Sequence, residues 1–262
     1  MQITRLVVLG AGDLGSRVAR LWLARSPQQA VVGLTKTPAR HEALRALGVQ
    51  PATARARELL ALHDALLVAV PGTETKAEVL TELAALPPPR RAVFVSTTGY
   101  YGTPRGMVNE ETPAGATRRA REIADLEAQF RRWAGAAGVV MRLGGLYRPG
   151  RGPMAALARR GDASKKAPNR PLPLIHYDDA ASAVYAALRR AEVEPLYLAV
   201  TPPCPTRLTF YSAACARLAL PLPEFAPPLP HPPARFDVRR LRRDLLPAPA
   251  YPHWQAALVQ AE

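Results

Sequence analysis

Three glycines near the N-terminus have the spacing of a dinucleotide-binding turn. Gly10, Gly12 and Gly15 follow the apolar run ITRLVVL and precede a stretch with an apolar helical stripe. In this pattern the first glycine makes a tight turn, the second lets the backbone approach a pyrophosphate, and the third lets helix and strand pack closely. The free N–H groups at the start of the helix favour an anion. The spacing therefore predicts a dinucleotide site, with Asp13 and Leu14 as part of the turn.

The end of the next strand-like segment indicates which dinucleotide would bind. A site for NAD carries Asp or Glu about 20 residues after the glycines, where it accepts a hydrogen bond from the ribose 2′-hydroxyl. This chain has Thr35, Lys36 and Arg40 there instead. A hydroxyl and two cations suit a 2′-phosphate. We therefore predict NADP as the cofactor, with NAD as the alternative, and we place Val70 and Pro71 in the same site.

Four later motifs resemble those of the short-chain dehydrogenase/reductase superfamily, in particular its extended NAD-dependent epimerase/dehydratase type. VFVSTTGYYG is similar to the strand that ends in the catalytic Ser or Thr, and NEETP to the acid-plus-proline loop after it. RLGGLYRPGRG resembles the loop that flanks nicotinamide and substrate, and IHYDDAASAV the His-x-Asp-Asp start of a helix. The resemblance implies a Rossmann fold and hydride transfer at a C–OH/C=O centre.

The resemblance also implies which residues are catalytic, with one departure from the superfamily's pattern. Thr97 matches the catalytic Ser/Thr, which would contact both the cofactor and the reacting oxygen. Thr117 and Arg121 occupy the positions of the superfamily's Tyr-x-x-x-Lys pair. A threonine hydroxyl does not ionise in the usable pH range, whereas Arg121 can still hold a ribose hydroxyl. The expected proton donor is therefore Tyr100, Tyr101 or a water molecule.

Substrate contacts are expected from side chains around the same cleft. The arginines that begin the helix-like stretch after residue 117 suit an anionic substrate, such as a nucleotide sugar or an acyl phosphate. A solvated helix face is the alternative for two of these arginines, and packing is the alternative for the tyrosines. The predicted substrate-binding residues are Thr98, Arg118, Arg142 and Tyr147.

His176, Asp178 and Asp179 have the spacing of a helix N-terminus rather than of a metal site. Side chains at that position accept hydrogen bonds from free backbone N–H groups. We therefore expect a structural role for them and no metal.

The elements that must position these residues alternate between strand-like and helix-like. Short apolar strands with intervening helices and right-handed crossovers predict an α/β fold, a doubly wound parallel (Rossmann) sheet with a small C-terminal substrate lobe. The dinucleotide-binding core is expected at 1–150, and 151–262 holds a further core unit at about 172–200, the lobe, and an extended proline-rich connector at 220–233. Predicted strands are ITRLVVLG, AVVGLT, DALLVAV and RAVFVST, and predicted helices are 13–25, 38–47, 55–62, 74–86 and 115–137.

Composition limits the classes of function. Of 262 residues, 48% are apolar and 21% charged, as in ordinary globular proteins, and no apolar run is long enough to cross a bilayer. The net charge is +14, but its densest cluster, RFDVRRLRRDLL, has neither interleaved aromatics nor a DNA-binding motif. We expect a cytoplasmic monomer or homodimer that binds a small-molecule substrate, with no specific nucleic acid and no membrane partner.

Two hypotheses follow for the function. The first is an NADP-dependent oxidoreductase or epimerase of the atypical short-chain type. The alternative is a dinucleotide-sensing regulatory protein similar to the NmrA type, which binds the cofactor without catalysis. The missing Tyr-x-x-x-Lys pair favours the second hypothesis, and the intact STTGYYG and YRPGRG loops favour the first.

Overall fold

The computed structural model describes residues 3–53, 55, 58, 60–61, 64–160 and 166–258. The first half contains β1 (Arg5–Leu9), α1 (Asp13–Arg25), β2 (Ala30–Leu34), α2 (His41–Ala46), β3 (Gln50–Ala52), β4 (Asp64–Val68), α3 (Thr73–Ala84) and β5 (Arg91–Thr97). The second half contains β6 (Met107–Val108), α4 (Arg118–Ala134), β7 (Gly138–Leu143), β8 (Gly145–Tyr147), α5 (Pro153–Arg160), β9 (Leu174–His176), α6 (Tyr177–Arg189), β10 (Leu196–Ala199), α7 (Arg207–Leu218), β11 (Arg235–Phe236) and α8 (Arg239–Asp244).

The central sheet has seven strands in the order β10-β7-β5-β4-β1-β2-β3. Every pairing in it is parallel. The chain runs outward in one direction from β1 through β2 to β3, then crosses to β4 and runs in the other direction. The predicted doubly wound sheet is therefore confirmed. In such sheets ligands bind at the carboxyl ends of the strands where the order reverses, which here is between β1 and β4.

Most predicted elements lie where the sequence pattern places them, with differences at the sheet edge. The predicted helix 38–47 is shorter, because Pro38–Arg40 forms a 3-10 turn before α2. Half of the predicted helix 55–62 lies outside the described residues. Strand β3 was not predicted; it contains Pro51, which an edge strand tolerates. Residues 220–233, all of them described, form the expected connector without helix or strand.

Helices cover both faces of the sheet. On one face α1 packs against α6, where the ring of Trp22 meets that of Tyr185 edge-on at 6.2 Å. On the other face α3 packs against α4, and Phe94 of β5 stacks on Phe130 of α4 at 5.1 Å. Each fully buried large apolar side chain stabilises the fold by about 1.5–3 kcal/mol. These contacts fix the helix starts relative to the strand ends that carry the candidate site.

A separate apolar cluster forms the core of the C-terminal lobe. It includes Met154 of α5, Phe210 of α7 and Trp254 in the last helical turn. The lobe is tied to the Rossmann core by Asp179 of α6, whose carboxylate accepts hydrogen bonds from the backbone N–H groups of Ala250 and Tyr251 at 2.7 and 3.0 Å. Asp179 therefore does not cap its own helix, as the sequence suggested, but holds the C-terminal segment.

Three arginines of the basic cluster near the C-terminus are paired with carboxylates. All three lie on α8, and each ion pair lowers the local excess of positive charge. The pairs are Arg239 with Asp237, Arg240 with Glu111, and Arg243 with both Asp244 and Glu194. Among the described residues, no helix has the length and apolar character required to cross a membrane.

Candidate functional site

The glycine-rich turn connects β1 to α1 at the strand-order reversal. Gly10 has φ +91°, and a Cβ there would lie 2.7 Å from the backbone nitrogen of Val70. A Cβ on Gly15 would lie 2.5 Å from the carbonyl oxygen of Gly10. Around Gly12 a Cβ would meet nothing within 4 Å, so this side of the turn is open to an incoming group. The backbone here fits a close approach by a diphosphate, with the N-terminus of α1 behind it.

A cavity of about 340 Å³ adjoins the turn. Thr35 and Lys36 line one side of it, and Val70 and Pro71 line the other. Arg55, which the sequence did not predict, also lines it, as do Glu78 and Glu82 of α3. Arg40 does not: it is exposed on the 3-10 turn before α2 and is outside the lining residues. The predicted cation pair Lys36/Arg40 is thus replaced by Lys36/Arg55.

Arg142 is a core residue rather than a substrate ligand, which corrects the sequence-based expectation. It is 1% exposed, and its guanidinium donates to the carboxylate of Glu127, itself fully buried, with a shortest distance of 2.8 Å. Ser96 also donates to Glu127, at 2.5 Å. The remaining guanidinium nitrogen donates to the Tyr101 hydroxyl at 3.0 Å and to the Glu110 carbonyl at 3.2 Å. The network ties β5, β7 and α4 together beneath the cleft.

Tyr101 belongs to the same network and is 2% exposed. Its hydroxyl donates to the carbonyl of Asn109 at 2.9 Å while accepting from Arg142. Burial raises the pKa of Tyr101 to about 12. The hypothesis that Tyr101 donates the proton is therefore wrong, because its only hydrogen already has an acceptor in the core. Tyr100 is half-buried, with the Arg142 guanidinium 3.3 Å from its ring centre.

Thr97 ends β5 at the cleft, with its neighbour Thr98 beginning a 3-10 turn. The Thr97 hydroxyl oxygen accepts from the backbone N–H of Gly99 at 3.2 Å. Its own hydrogen has no acceptor among the described residues. Both threonines are partly exposed, as a ligand contact requires.

The start of α4 differs from the predicted substrate site. Thr117 is the N-cap of α4 and accepts from the N–H of Ala120 at 3.1 Å. The side chain of Arg118 is 92% exposed and pairs with Glu122 at 3.3 Å, so the predicted substrate contact is replaced by a solvated ion pair on the helix. Arg121 is also exposed. The structure therefore favours the solvated-face alternative for these two arginines.

Tyr147 and His176 pack in the interior at the junction of core and lobe. Tyr147 is 1% exposed and meets the His176 ring edge-on at 5.1 Å, which contradicts its predicted substrate contact. Burial raises the pKa of Tyr147, and its hydroxyl has no hydrogen-bond partner among the described residues. His176 is the N-cap of α6, where its Nδ1 accepts from the N–H of Asp178 at 3.1 Å. Within the described ranges, no group of acidic, histidine or cysteine side chains has the arrangement of a metal site.

A lysine that the sequence did not predict lies beside Thr97. A cavity of about 70 Å³ between α3 and α4 is lined by Thr73, Lys76, Thr97 and Arg119. The Lys76 ammonium donates to the carbonyl of Val95 at 2.7 Å. Burial lowers the pKa of Lys76 to about 8, because desolvation penalises its charged form. Its position on the first turns of α3 carried no sequence signal, since Lys is ordinary on a helix surface.

Further cations gather where α4 faces the lobe. Burial lowers the pKa of Lys166, and the positive charges of Arg170, Arg207 and Arg119 lower it further. Arg170 donates to the carbonyl of Gly102 at 2.6 Å, which brings the lobe against the loop after β5. Of these cations, Arg119 of α4 also lines the cavity beside Thr97.

The chain is similar in sequence and in structure to known proteins. Residues 5–100 match the family model of coenzyme F420-dependent NADP oxidoreductases, which covers the strands from β1 to β5. The protein YeeZ of Escherichia coli K12 is 29% identical, over 84% of this chain and 86% of YeeZ. A functionally unknown conserved protein from Silicibacter pomeroyi superposes with a TM-score of 0.76 at 24% identity, covering 97% of this chain and 96% of that one.

An enzyme structure aligns over the same length. UDP-glucuronic acid 4-epimerase from Bacillus cereus, in complex with NAD, superposes with a TM-score of 0.73 at 16% identity, covering 97% of this chain and 96% of the epimerase. The fold is that of the NAD-dependent epimerases and dehydratases. The resemblance that the motifs predicted is thus confirmed at the level of the fold. Within this epimerase/dehydratase fold, the chain has Thr117 and Arg121 where the catalytic Tyr-x-x-x-Lys pair is expected.

Proposed function

We propose that the protein is an NADP-dependent oxidoreductase or epimerase that acts on a C–OH/C=O centre of an anionic substrate. The proposal rests on the turn and the adjoining cavity at the point between β1 and β4 where the strand order reverses. The turn around Gly12 is open to a diphosphate, and the adjoining cavity presents Lys36 and Arg55. A cofactor bound there would supply hydride transfer at the substrate carbon.

The residues that would hold the cofactor follow from their positions. The N-terminus of α1 attracts the diphosphate through its free N–H groups. Lys36 and Arg55 would bind a 2′-phosphate by charge-assisted hydrogen bonds. Val70 and Pro71 offer an apolar wall to the adenine. These are the chemical groups that an NADP site requires, and Glu78 in the same cavity is the group that would serve a ribose hydroxyl of NAD.

At the reacting end, Thr97 donates its free hydroxyl hydrogen to the substrate oxygen. A proton must also reach or leave that oxygen. With Tyr101 committed to the core, Lys76 and Tyr100 are the groups beside Thr97 that can carry it. The Lys76 ammonium is suited to the task because its pKa is about 8, close to the working range of a general acid.

The charge of the cleft supports an anionic substrate. Arg119 and Arg170 both repel the charged form of Lys166, and a phosphate or carboxylate bound near them would relieve that repulsion. Arg119 replaces Arg118 as the residue of α4 that we place at the substrate.

Titration of NADPH and NADH by fluorescence tests the cofactor assignment. Lys36→Ala and Arg55→Ala should each weaken NADPH binding by about 1–3 kcal/mol, because a charge-assisted bond to the 2′-phosphate is lost. Neither should change NADH binding. Arg40→Ala is the matched control, since Arg40 is exposed and outside the cavity. Equal affinity of the wild type for NADH and NADPH would refute the preference.

A regulatory protein without catalysis is the second candidate. Thr117, which takes the position of the catalytic tyrosine, accepts from the N–H of Ala120 as the N-cap of α4, and its hydroxyl cannot ionise as a phenol does. A screen of anionic carbonyl compounds and nucleotide sugars decides between the two. NADPH oxidation in the screen supports the enzyme. Tight NADPH binding without oxidation, together with an NADPH-dependent change in affinity for a protein partner, supports the regulator.

A further inference from the structure

Two arginines from the second half of the chain contact one carboxylate oxygen at the glycine-rich turn. Asp13, the first residue of α1, accepts on its Oδ2 from Arg148 at 3.0 Å and from Arg151 at 3.1 Å. Both arginines lie on the loop between β8 and α5, 135 and 138 residues along the chain from Asp13. The loop is thereby held against the first residue of α1, next to Gly12.

The charges of this arrangement do not balance. One carboxylate neutralises one guanidinium, so a net positive charge remains at the N-terminus of α1, where the helix dipole adds to it. Arg17, in the next turn of α1, pairs with Asp178 at 3.0 Å and leaves this balance unchanged. Arg17 and Arg151 both lie over the ring of Tyr177, at 5.6 and 5.8 Å from its centre. The surplus charge lies at Asp13, the residue next to Gly12, where the turn is open.

A purely structural ion pair is a poor explanation of these contacts. The side chains of Arg148 and Arg151 are 32% and 57% exposed, and ion pairs of that exposure stabilise a fold by about 0–1 kcal/mol. A bare carboxylate at Asp13 would repel a diphosphate at the adjacent Gly12. Because Arg148 and Arg151 both bind this carboxylate, it instead keeps two guanidinium groups close to Gly12, where they could donate hydrogen bonds to a diphosphate.

We propose that Arg148 and Arg151 bind the diphosphate of the cofactor directly, and that Asp13 positions them for it. The inference rests on the proposed function and adds a ligand contact from the second half of the chain. The same chemistry could serve the diphosphate of a nucleotide-linked substrate, and the experiment separates the two sources.

The experiment measures the binding of NADPH by fluorescence and the direct binding of three probes by calorimetry. ADP-ribose carries the diphosphate of the cofactor, adenosine 2′-monophosphate carries none, and UDP carries that of a nucleotide-linked substrate. Arg148→Ala and Arg151→Ala should each weaken NADPH and ADP-ribose by about 10- to 100-fold, since a charge-assisted bond is removed. Adenosine 2′-monophosphate should bind unchanged. Arg159→Ala, an exposed arginine on α5, is the matched control.

A double variant distinguishes direct contact from relief of repulsion. If Arg148 only neutralised Asp13, then Arg148→Ala in an Asp13→Asn background would leave ADP-ribose affinity unchanged, and the proposal would be wrong. Direct contact predicts that the loss persists there. Thermal unfolding of each variant checks the fold, and Arg148→Gln, which keeps most of the side chain's length, should show the same loss.

The outcomes separate this inference from the function on which it rests. If the wild type binds neither NADPH nor ADP-ribose, the proposed function fails and takes the inference with it. If the wild type binds both and the arginine variants bind them equally well, the inference alone fails. If the variants weaken UDP but not ADP-ribose, the diphosphate belongs to the substrate, and the assignment to the cofactor is overturned.

Discussion

Replacing Arg142 by Met should destabilise the protein severely. The guanidinium donates five hydrogen bonds, three of them to Glu127, one to Tyr101 and one to the Glu110 carbonyl. Methionine fills much of the space and makes none of these bonds. The fully buried carboxylate of Glu127 would then keep only the bond from Ser96. Removing one partner of such a pair costs about 3–5 kcal/mol, because the other charge remains buried and unpaired.

The magnitude can be tested because removal of both charges should cost much less. Glu127→Leu combined with Arg142→Met replaces the ion pair with apolar groups of similar size, which is often near neutral in stability. Urea unfolding followed by far-UV circular dichroism gives the free energy of unfolding of the wild type, both single variants and the double variant. We expect each single variant to lose several kcal/mol and the double variant to recover most of that loss, a coupling that a double-mutant cycle measures directly.

A substrate role for Arg142 would give a different pattern. In that case Arg142→Met would leave the free energy of unfolding within about 1 kcal/mol of the wild type, as surface substitutions do. It would instead raise the KM for the anionic substrate. That combination of results would refute the conclusion that the network is a structural element of the core.

Three further predictions concern the turn and the cleft. Gly15→Ala should lower both stability and dinucleotide affinity, since its Cβ would lie 2.5 Å from the Gly10 carbonyl oxygen; unchanged thermal unfolding and NADPH titration would contradict this. Tyr101→Phe should cost about 1–3 kcal/mol in urea unfolding while turnover persists, because the lost hydroxyl serves the core; abolished turnover at unchanged stability would restore Tyr101 as the proton donor. Lys76 has a pKa of about 8 in the fold against 10.5 unfolded, so between these values the unfolded chain binds more protons and the wild type gains stability as pH rises. Lys76→Met should remove that gain, raise the melting temperature at pH 7 and lower turnover. A variant that is less stable than the wild type at pH 7 would contradict the conclusion that burial of the Lys76 charge costs stability.

The parts of the fold and of the site that depend on residues close together in the chain could be predicted from the sequence. The glycine spacing and its flanking strand located the turn, and the apolar alternation located the sheet, because both depend on neighbouring residues. Arg142 was misassigned because its partner Glu127 lies on another element. A signal was present: Glu127 follows Ile123 by four residues, so it falls on the buried stripe of α4 and needs a buried cation.

Contacts between distant elements gave no such signal. Strand β4 ends at Val68, which pairs with Phe94, so β5 extends past the end of its neighbour. The carbonyl of Val95, in that extension, accepts a hydrogen bond from the Lys76 ammonium and so brings Lys76 to the site. Arg55 reaches the cavity from the segment that follows the unpredicted strand β3. Arg148 was noted only within a loop motif, and its contact with Asp13 depends on how the two halves of the chain come together.

The bonds from Ala250 and Tyr251 to Asp179 have a consequence for the order in which the chain acquires its structure during synthesis. Domains form from the N-terminus as the ribosome releases the chain. Asp179 is made long before its two donors and sits almost fully buried at the start of α6. Until the last segment emerges, its carboxylate has neither donor, and an unpaired buried charge opposes closure of that end of the helix. The nascent chain therefore cannot complete the junction of core and lobe before residues 250 and 251 have emerged, and a nascent chain stalled before residue 250 would keep that junction open to proteases that spare the folded protein.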